Sequence, residues 1–311
     1  MVGTLSTPVQ LQLLNNLSNK IVPQGFICED VLPEVQVVQT TGKIGKYGNN
    51  HLRIVSSVTG GKNEYRRIDT RQYSTDTYNI EKHGLSDILA EEDFANTTDP
   101  FNAKVDAIEE LVGLLFLEKE KSLADTITDT SVITQNVTLS GTSQLSDFTN
   151  SDPLGVFTTA IGTVQSNTGM VPNVAIMSFA TYNKLRTHSK LLDQLGYKYN
   201  RTGGLNDLEM ATALGVDRLL IGKSVYNSAA EGQTDVLSPV WGKHILFAVC
   251  PSKAAKRQIS LGYRFQKGMA RRVNEDPVKD PVGALKVLVD DSYDQLISNA
   301  KAAYLIKDAI A

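Results

Sequence analysis

The residues of this chain that could carry chemistry are few, and their spacing works against most reactions. Gly222-Lys223-Ser224 looks like the end of a phosphate-binding loop. The six residues between Gly215 and Gly222 overshoot the Gly-x-x-x-x-Gly-Lys spacing, and the segment closes a strand instead of opening a helix. The four histidines, His51, His83, His188 and His244, stand at no ligand-like spacing from one another or from Cys28 and Cys250. A zinc site therefore has no support, and neither does any other metal or cofactor. There is no Gly-x-Ser-x-Gly elbow to present an acyl-transfer nucleophile. Acidic runs such as Glu91-Glu92-Asp93 and Asp290-Asp291 could serve as acid/base pairs, but adjacent carboxylates read more simply as solvated faces. The expectation is a chain that is not an enzyme and that has no catalytic, cofactor-binding or metal residues.

What remains is charge segregation. Between residues 43 and 71 the chain carries seven basic residues, Lys43, Lys46, Arg53, Lys62, Arg66, Arg67 and Arg71, against Glu64 and Asp69. The next segment reverses the sign, with Glu81, Asp87, Glu91, Glu92, Asp93 and Asp99 against Lys82. Three readings are open: phosphate contact with nucleic acid, a solvated strand edge where Lys and Arg block aggregation, and opposite charges meeting between subunits to set register. The overall balance argues against a dedicated nucleic-acid binder. The 311 residues are 41% hydrophobic and 21% charged, with a formal net charge of −3. No apolar run is long enough to span a membrane. The N-terminal segment lacks the charged and apolar regions of a secretion signal. Cys28 and Cys250 both sit in apolar stretches and read as buried thiols in a reducing compartment.

The elements that must position these residues form an α+β pattern. Residues 1–42 read as an arm, with a short helix carrying Leu11, Leu13, Leu14 and Leu17, then an extended stretch that Pro33 keeps off a central strand. Residues 43–80 read as a long β-hairpin whose tip lies at Gly60-Gly61, since paired glycines supply the positive φ of tight turns. Such a hairpin is marginal alone and needs support from its own domain or from a neighbour. Asp99-Pro100 starts a long helix through about residue 128, with Phe101, Val105, Ile108, Val112 and Leu115 on one stripe and Leu111, Leu114 and Leu117 beside it. The Glu118–Ser122 stretch turns polar and interrupts that stripe. Downstream, Asp152-Pro153 opens a second helix and Asn173–Ser178 is a buried strand. Ser178 caps a helix running to Gly196, and Asn206 with Glu209 forms a capping box for a helix ending at Gly215. Strands follow in residues 218–226, 244–250, 259–265, 284–291 and 302–308.

In this order of parts the chain resembles the tailed-bacteriophage major capsid protein family, whose fold is shared with herpesvirus shells and encapsulins. The likeness covers nearly the whole chain. Local wording adds to it: GKIGKYG leading into the hairpin, YNIEKHGLSDILAEEDFAN before DPFNAKVDAIEELVGLLFLEKEKSLAD, and the closing SNAKAAYLIKDAI. The resemblance implies an N-terminal arm (1–42), an extended hairpin or E-loop (43–80), and a peripheral domain (81–150) with its spine helix at about 100–128. It further implies an α/β axial domain (151–283) and strands returning to the peripheral domain (284–311). It implies a structural subunit that self-assembles into pentamers and hexamers of an icosahedral head around double-stranded DNA held without sequence specificity. The E-loop would lie across an adjacent subunit, with the basic residues of 43–71 against acids such as Glu81, Asp87, Glu91, Glu92 and Asp93. It implies a portal protein, a separate scaffolding protein and a decoration protein as partners, and a virion component assembled in the host cytoplasm. No Lys–Asn crosslink between subunits is expected, and bending of the spine helix is expected near Glu118–Ser122 in unexpanded shells. The alternative within the same fold is the shell subunit of an encapsulin-type compartment.

Overall fold

The computed structural model describes residues 8–21, 23, 25–46, 54, 57, 74–90, 103–195, 204–255, 258–278 and 283–311. The expected hairpin tip and Arg53, Lys62, Arg66, Arg67, Arg71, Glu91, Glu92 and Asp93 fall outside these residues.

Helix α1 (Pro8–Lys20) and the short α2 (Cys28–Val31) lead into β1 (Glu34–Val37). Strands β2 (Thr41–Lys46) and β3 (Ser74–Asn79) pair antiparallel, and β4 (Glu81–Leu89) follows directly. The β2–β3 register is symmetric about residue 60, from Thr41 opposite Asn79 to Lys46 opposite Ser74. Two antiparallel strands that bracket the intervening segment are therefore present.

The long helix α3 runs unbroken from Ala103 to Thr128. Its 26 residues span about 39 Å at ~1.5 Å per residue. Ile108, Leu111, Val112, Leu115, Phe116, Leu123 and Ile127 are buried as the stripe requires, while Leu114 turns out to solvent. The polar interruption is only partly solvated: Glu118 and Ser122 are exposed, but Lys119 and Glu120 are 2% and 0% exposed.

Two sheets sandwich the core. A four-stranded sheet has the order β1-β11-β12-β4, where β11 is Gly262–Pro277 and β12 is Leu285–Ile297. A five-stranded sheet has the order β5-β13-β10-β6-β7, from Asn136–Thr138, Ala303–Lys307, Ile245–Ala248, Val174–Ser178 and Arg218–Gly222. In β6 and β10 every residue is buried. Alternation sends Val174, Ile176, Leu246 and Leu305 toward α3, and Ala175, Met177, Phe247 and Ile306 toward a helical layer. That layer is α4 (Pro153–Thr168), α5 (Phe179–Leu185), α6 (Ser189–Gln194) and α7 (Asp207–Leu214). A small ribbon, β8 (Val225–Asn227) with β9 (Leu237–Pro239), completes the set.

Several boundaries differ from the sequence reading. The helix expected after Ser178 is two helices, because His188 caps a new start: its Nδ1 accepts from the Lys190 amide at 3.2 Å. The strand expected over 218–226 is split at Lys223-Ser224 into β7 and β8. The closing segment also divides between layers. β12 lies in the four-stranded sheet, whereas β13 lies inside the five-stranded one. The capping box of α7 is as expected, with Asn206 and Glu209 exchanging bonds of 2.9 Å, and Gly215 at φ 68° closes the helix.

Candidate assembly site

The hairpin base is held by packing on the body. Tyr78 stacks on Phe265 with ring centroids 4.4 Å apart and planes 14° apart. Ile80 and Tyr263 close the same small cluster, with Val35, Val37 and Ile44 at its margin. Gly42 lies opposite Tyr78, and a Cβ there would sit 2.5 Å from the phenol oxygen, so only glycine lets the ring lie flat. The Asn79 amide donates to Asp294 at 2.8 Å, and Lys267 Nζ to Thr40 Oγ1 at 3.0 Å. Of the basic residues singled out in the sequence, Lys43 is exposed on β2, and Lys46 pairs with Asp76 across its own hairpin at 3.4 Å. Glu81 and Asp87 are exposed on β4, whose outer edge is unpaired in the four-stranded sheet. No contact within the chain brings Lys43 to Glu81 or Asp87 among the described residues.

The N-terminal segment is bound by buried charge, a feature the sequence reading missed. Lys119 of α3 lies 3.1 Å from Asp291 and 3.3 Å from Glu29, with its ammonium 4.5 Å from the Tyr293 ring centre. Arg264 and Arg271 of β11 reach the same Glu29 at 3.2 and 3.6 Å. Burial alone would raise the Glu29 pKa, but these three cations outweigh it and hold the carboxyl below its usual range. The Asp290-Asp291 pair, read from the sequence as a solvated face, is 8% and 4% exposed. Asp290 meets Lys82 at 3.4 Å and Asp291 accepts from Gln266 Nε2 at 2.5 Å. Interrupted hydrophobic periodicity at residues 118–122 is the signal the sequence carries, and within it Lys119 and Glu120 form the tether.

Glu120 joins three parts of the chain. One oxygen accepts from the Ile27 and Cys28 amides at 2.6 and 3.1 Å, and the other from Trp241 Nε1 at 2.7 Å and from the Ser224 hydroxyl. Ser224 of the Gly-Lys-Ser segment is thereby engaged in structure, and Lys223 lies over the Phe179 ring at 5.8 Å. Cys28 and Cys250 are free and buried, and burial pushes both thiols up to about 12. Helix α1 adds a cover: Asn15 and Asn19 accept from the Val273 and Arg271 amides at 2.6 and 3.0 Å, which satisfies part of β11 beyond the reach of β1.

A serine and a histidine do meet. Ser151 Oγ lies 3.0 Å from His188 Nε2, both buried. The geometry is not that of a nucleophile and its base. The Ser151 hydroxyl donates to the Asp147 carbonyl at 2.5 Å, and His188 Nδ1 already accepts an amide proton, so Nε2 carries the hydrogen. No group of three or more metal-ligating side chains occurs among the described residues. Among them, too, no helix is long and apolar enough to cross a membrane.

No family model matches the chain. The chain is 22% identical to the major capsid protein of Burkholderia phage BcepMu over 94% of each sequence. Its fold superposes on the crystal structure of a phage-related protein from Bordetella bronchiseptica RB50 with a TM-score of 0.76, at 21% identity over 96% of this chain and 97% of that one. It also superposes on the capsid structure of cyanophage P-SCSP1u with a TM-score of 0.61, at 10% identity over 93% and 89% of the two chains. Along its length the chain thus carries the phage capsid fold.

Proposed function

We propose that this protein is a major capsid protein: a structural subunit that assembles with copies of itself into the shell of a phage head. The observation that carries the reading is the full-length match to a phage major capsid protein, with 94% of both chains aligned and no large insertion left over to hold another activity. The side chains agree with it. Buried charge is spent on tethering segments to one another, and the one serine–histidine contact described above is wired for structure. The phage identity of the curated relative favours a phage head over an encapsulin-type compartment.

The finer reading places the hairpin, residues 43–80, across an adjacent subunit. Lys43, with Arg53, Lys62, Arg66, Arg67 and Arg71, would face acids such as Glu81 and Asp87 on a neighbour's exposed β4 edge. Support comes from the hairpin base, whose root is anchored by its packing cluster. Pentamers and hexamers, a portal, a separate scaffold, a decoration protein and enclosed DNA complete this reading, as does the virion as its location. Electron microscopy of the chain expressed alone and with a candidate scaffold tests it. Closed, uniform, thin-walled shells are expected, and nucleic acid or protein cargo inside them distinguishes phage head from compartment. A small monodisperse particle under both conditions would overturn it.

A further inference from the structure

The β8–β9 ribbon turns an apolar face to solvent. Its register sets Val225 opposite Pro239 and Asn227 opposite Leu237, so these four share one face, and all four are exposed. The other face holds Tyr226, which packs on the core beneath Lys121, whose ammonium is 5.1 Å from the ring centre. Leu237 is 70% exposed and its neighbour Val236 54%. The connecting turn carries Glu231 and Asp235, both exposed. The ribbon is ordered by its own bonds: Asn227 Oδ1 accepts from the Ala229 and Val236 amides at 3.0 and 3.1 Å, and Asn227 Nδ2 donates to Asp235 at 2.8 Å. Outward aliphatic side chains on an ordered ribbon mark an interaction surface.

A surface of matching chemistry lies on the same molecule. The starts of α5 and α7 and the end of β7 enclose a groove of about 550 Å³ lined by Phe179, Tyr182, Arg186, Asp207, Leu208 and Lys223. Phe179 and Leu208 are exposed apolar walls. Arg186 and Lys223 supply positive charge, while Asp207 already accepts the Tyr182 hydroxyl at 2.5 Å. Acidic-aliphatic ribbon and cationic-apolar groove are complementary in charge and in apolar character.

We propose that the β8–β9 ribbon of one copy docks into this groove of the next copy. The inference rests on the coat-protein reading, which supplies the second copy as occupant. One ribbon-in-groove contact per pair of copies is head-to-tail, and its repetition closes a ring of subunits when the rotation closes. The test uses the full chain and follows the assembled fraction by sedimentation and electron microscopy. Glu231→Lys/Asp235→Lys and Arg186→Glu/Lys223→Glu are each expected to lower that fraction at least tenfold, and their combination in one chain to restore most of it. Leu237→Ser, at an exposed position that cannot open the core, is expected to lower it as well with an unchanged melting temperature. A parent-like assembled fraction for Leu237→Ser, or no recovery in the combined variant when its melting temperature is unchanged, would overturn the docking. A parent chain that never assembles would instead remove the coat-protein reading, and this docking with it.

Discussion

At the scale of single residues, the buried carboxylates decide how the chain is tied together. Glu120 takes hydrogens from two backbone amides, an indole and a hydroxyl, drawn from the N-terminal segment and the segments around residues 224 and 241. An unmet buried donor costs about 1–3 kcal/mol, so Glu120→Ala is expected to destabilise the subunit by roughly 3 kcal/mol or more. Urea unfolding measures the loss, and Trp241, the chain's single tryptophan, reports it locally through a shifted fluorescence maximum. An unchanged midpoint and spectrum would contradict the tether. Glu29 sets an acid limit. Its pKa is lower folded than unfolded, held there against burial by Lys119, Arg264 and Arg271. Its contribution is therefore complete above the unfolded value of about 4.3 and disappears as pH falls through the folded value. Thermal melts from pH 6 to about pH 3 should show a steep acid limb that Glu29→Gln flattens. His188 adds a separate slope at higher pH, because burial, and then Lys190, lower its pKa. Comparison of parent with Glu29→Gln cancels that term.

At the scale of elements, the hairpin root is where packing replaces covalent support. Tyr78 on Phe265 holds β2–β3 to β11, and Gly42 makes room for the ring. Tyr78→Ala is expected to cost about 3–5 kcal/mol, in line with loss of a buried aromatic. Gly42→Ala should lift the ring and speed hydrogen exchange at the 41–46 and 74–79 amides while leaving β10 and β6 protected. Equal protection in both regions would show that the cluster does not hold the root. Helix α7 gives a calibrating case: Asn206→Ala removes one half of its capping box and should cost about 1 kcal/mol. A similar loss from distant surface substitutions would mean the cap is not the cause.

At the scale of the whole molecule, α3 is the shared member of two layers. It packs against β12 and β4 on the four-stranded side and joins the five-stranded sheet in one continuous core. A chain of this build has one continuous core at its centre and, among the described residues, presents exposed positions on β4 and on the β8–β9 ribbon at its margins. The proposed contact through marginal charges such as Lys43 should respond to salt more than folding does. Raising ionic strength is expected to slow shell formation several-fold, with Lys43→Glu slowing it further, while the melting temperature of the subunit moves little. Light scattering beside calorimetry reads the two. Salt-independent assembly would place the contact energy elsewhere.

The sequence by itself determined what local rules can reach. The 3.6-residue stripe of α3, the Asp152-Pro153 start of α4 and the Asn206–Glu209 box all depend on neighbours within a few turns. It also determined the absence of any motif spacing that would recruit phosphate or zinc. Only the tertiary structure decided the fate of the polar residues. Lys119, Glu120 and Asp291 look like solvated charges in one dimension. They are buried because partners distant in sequence arrive to satisfy them: Glu29 and Asp291 for Lys119, Gln266 for Asp291, and Trp241 with Ser224 for Glu120. A charge leaves water only when its partners are already placed, and long-range contacts of that kind leave no periodicity to read. The same holds for β13, whose place between β5 and β10 in the five-stranded sheet is set by pairing with strands distant in sequence.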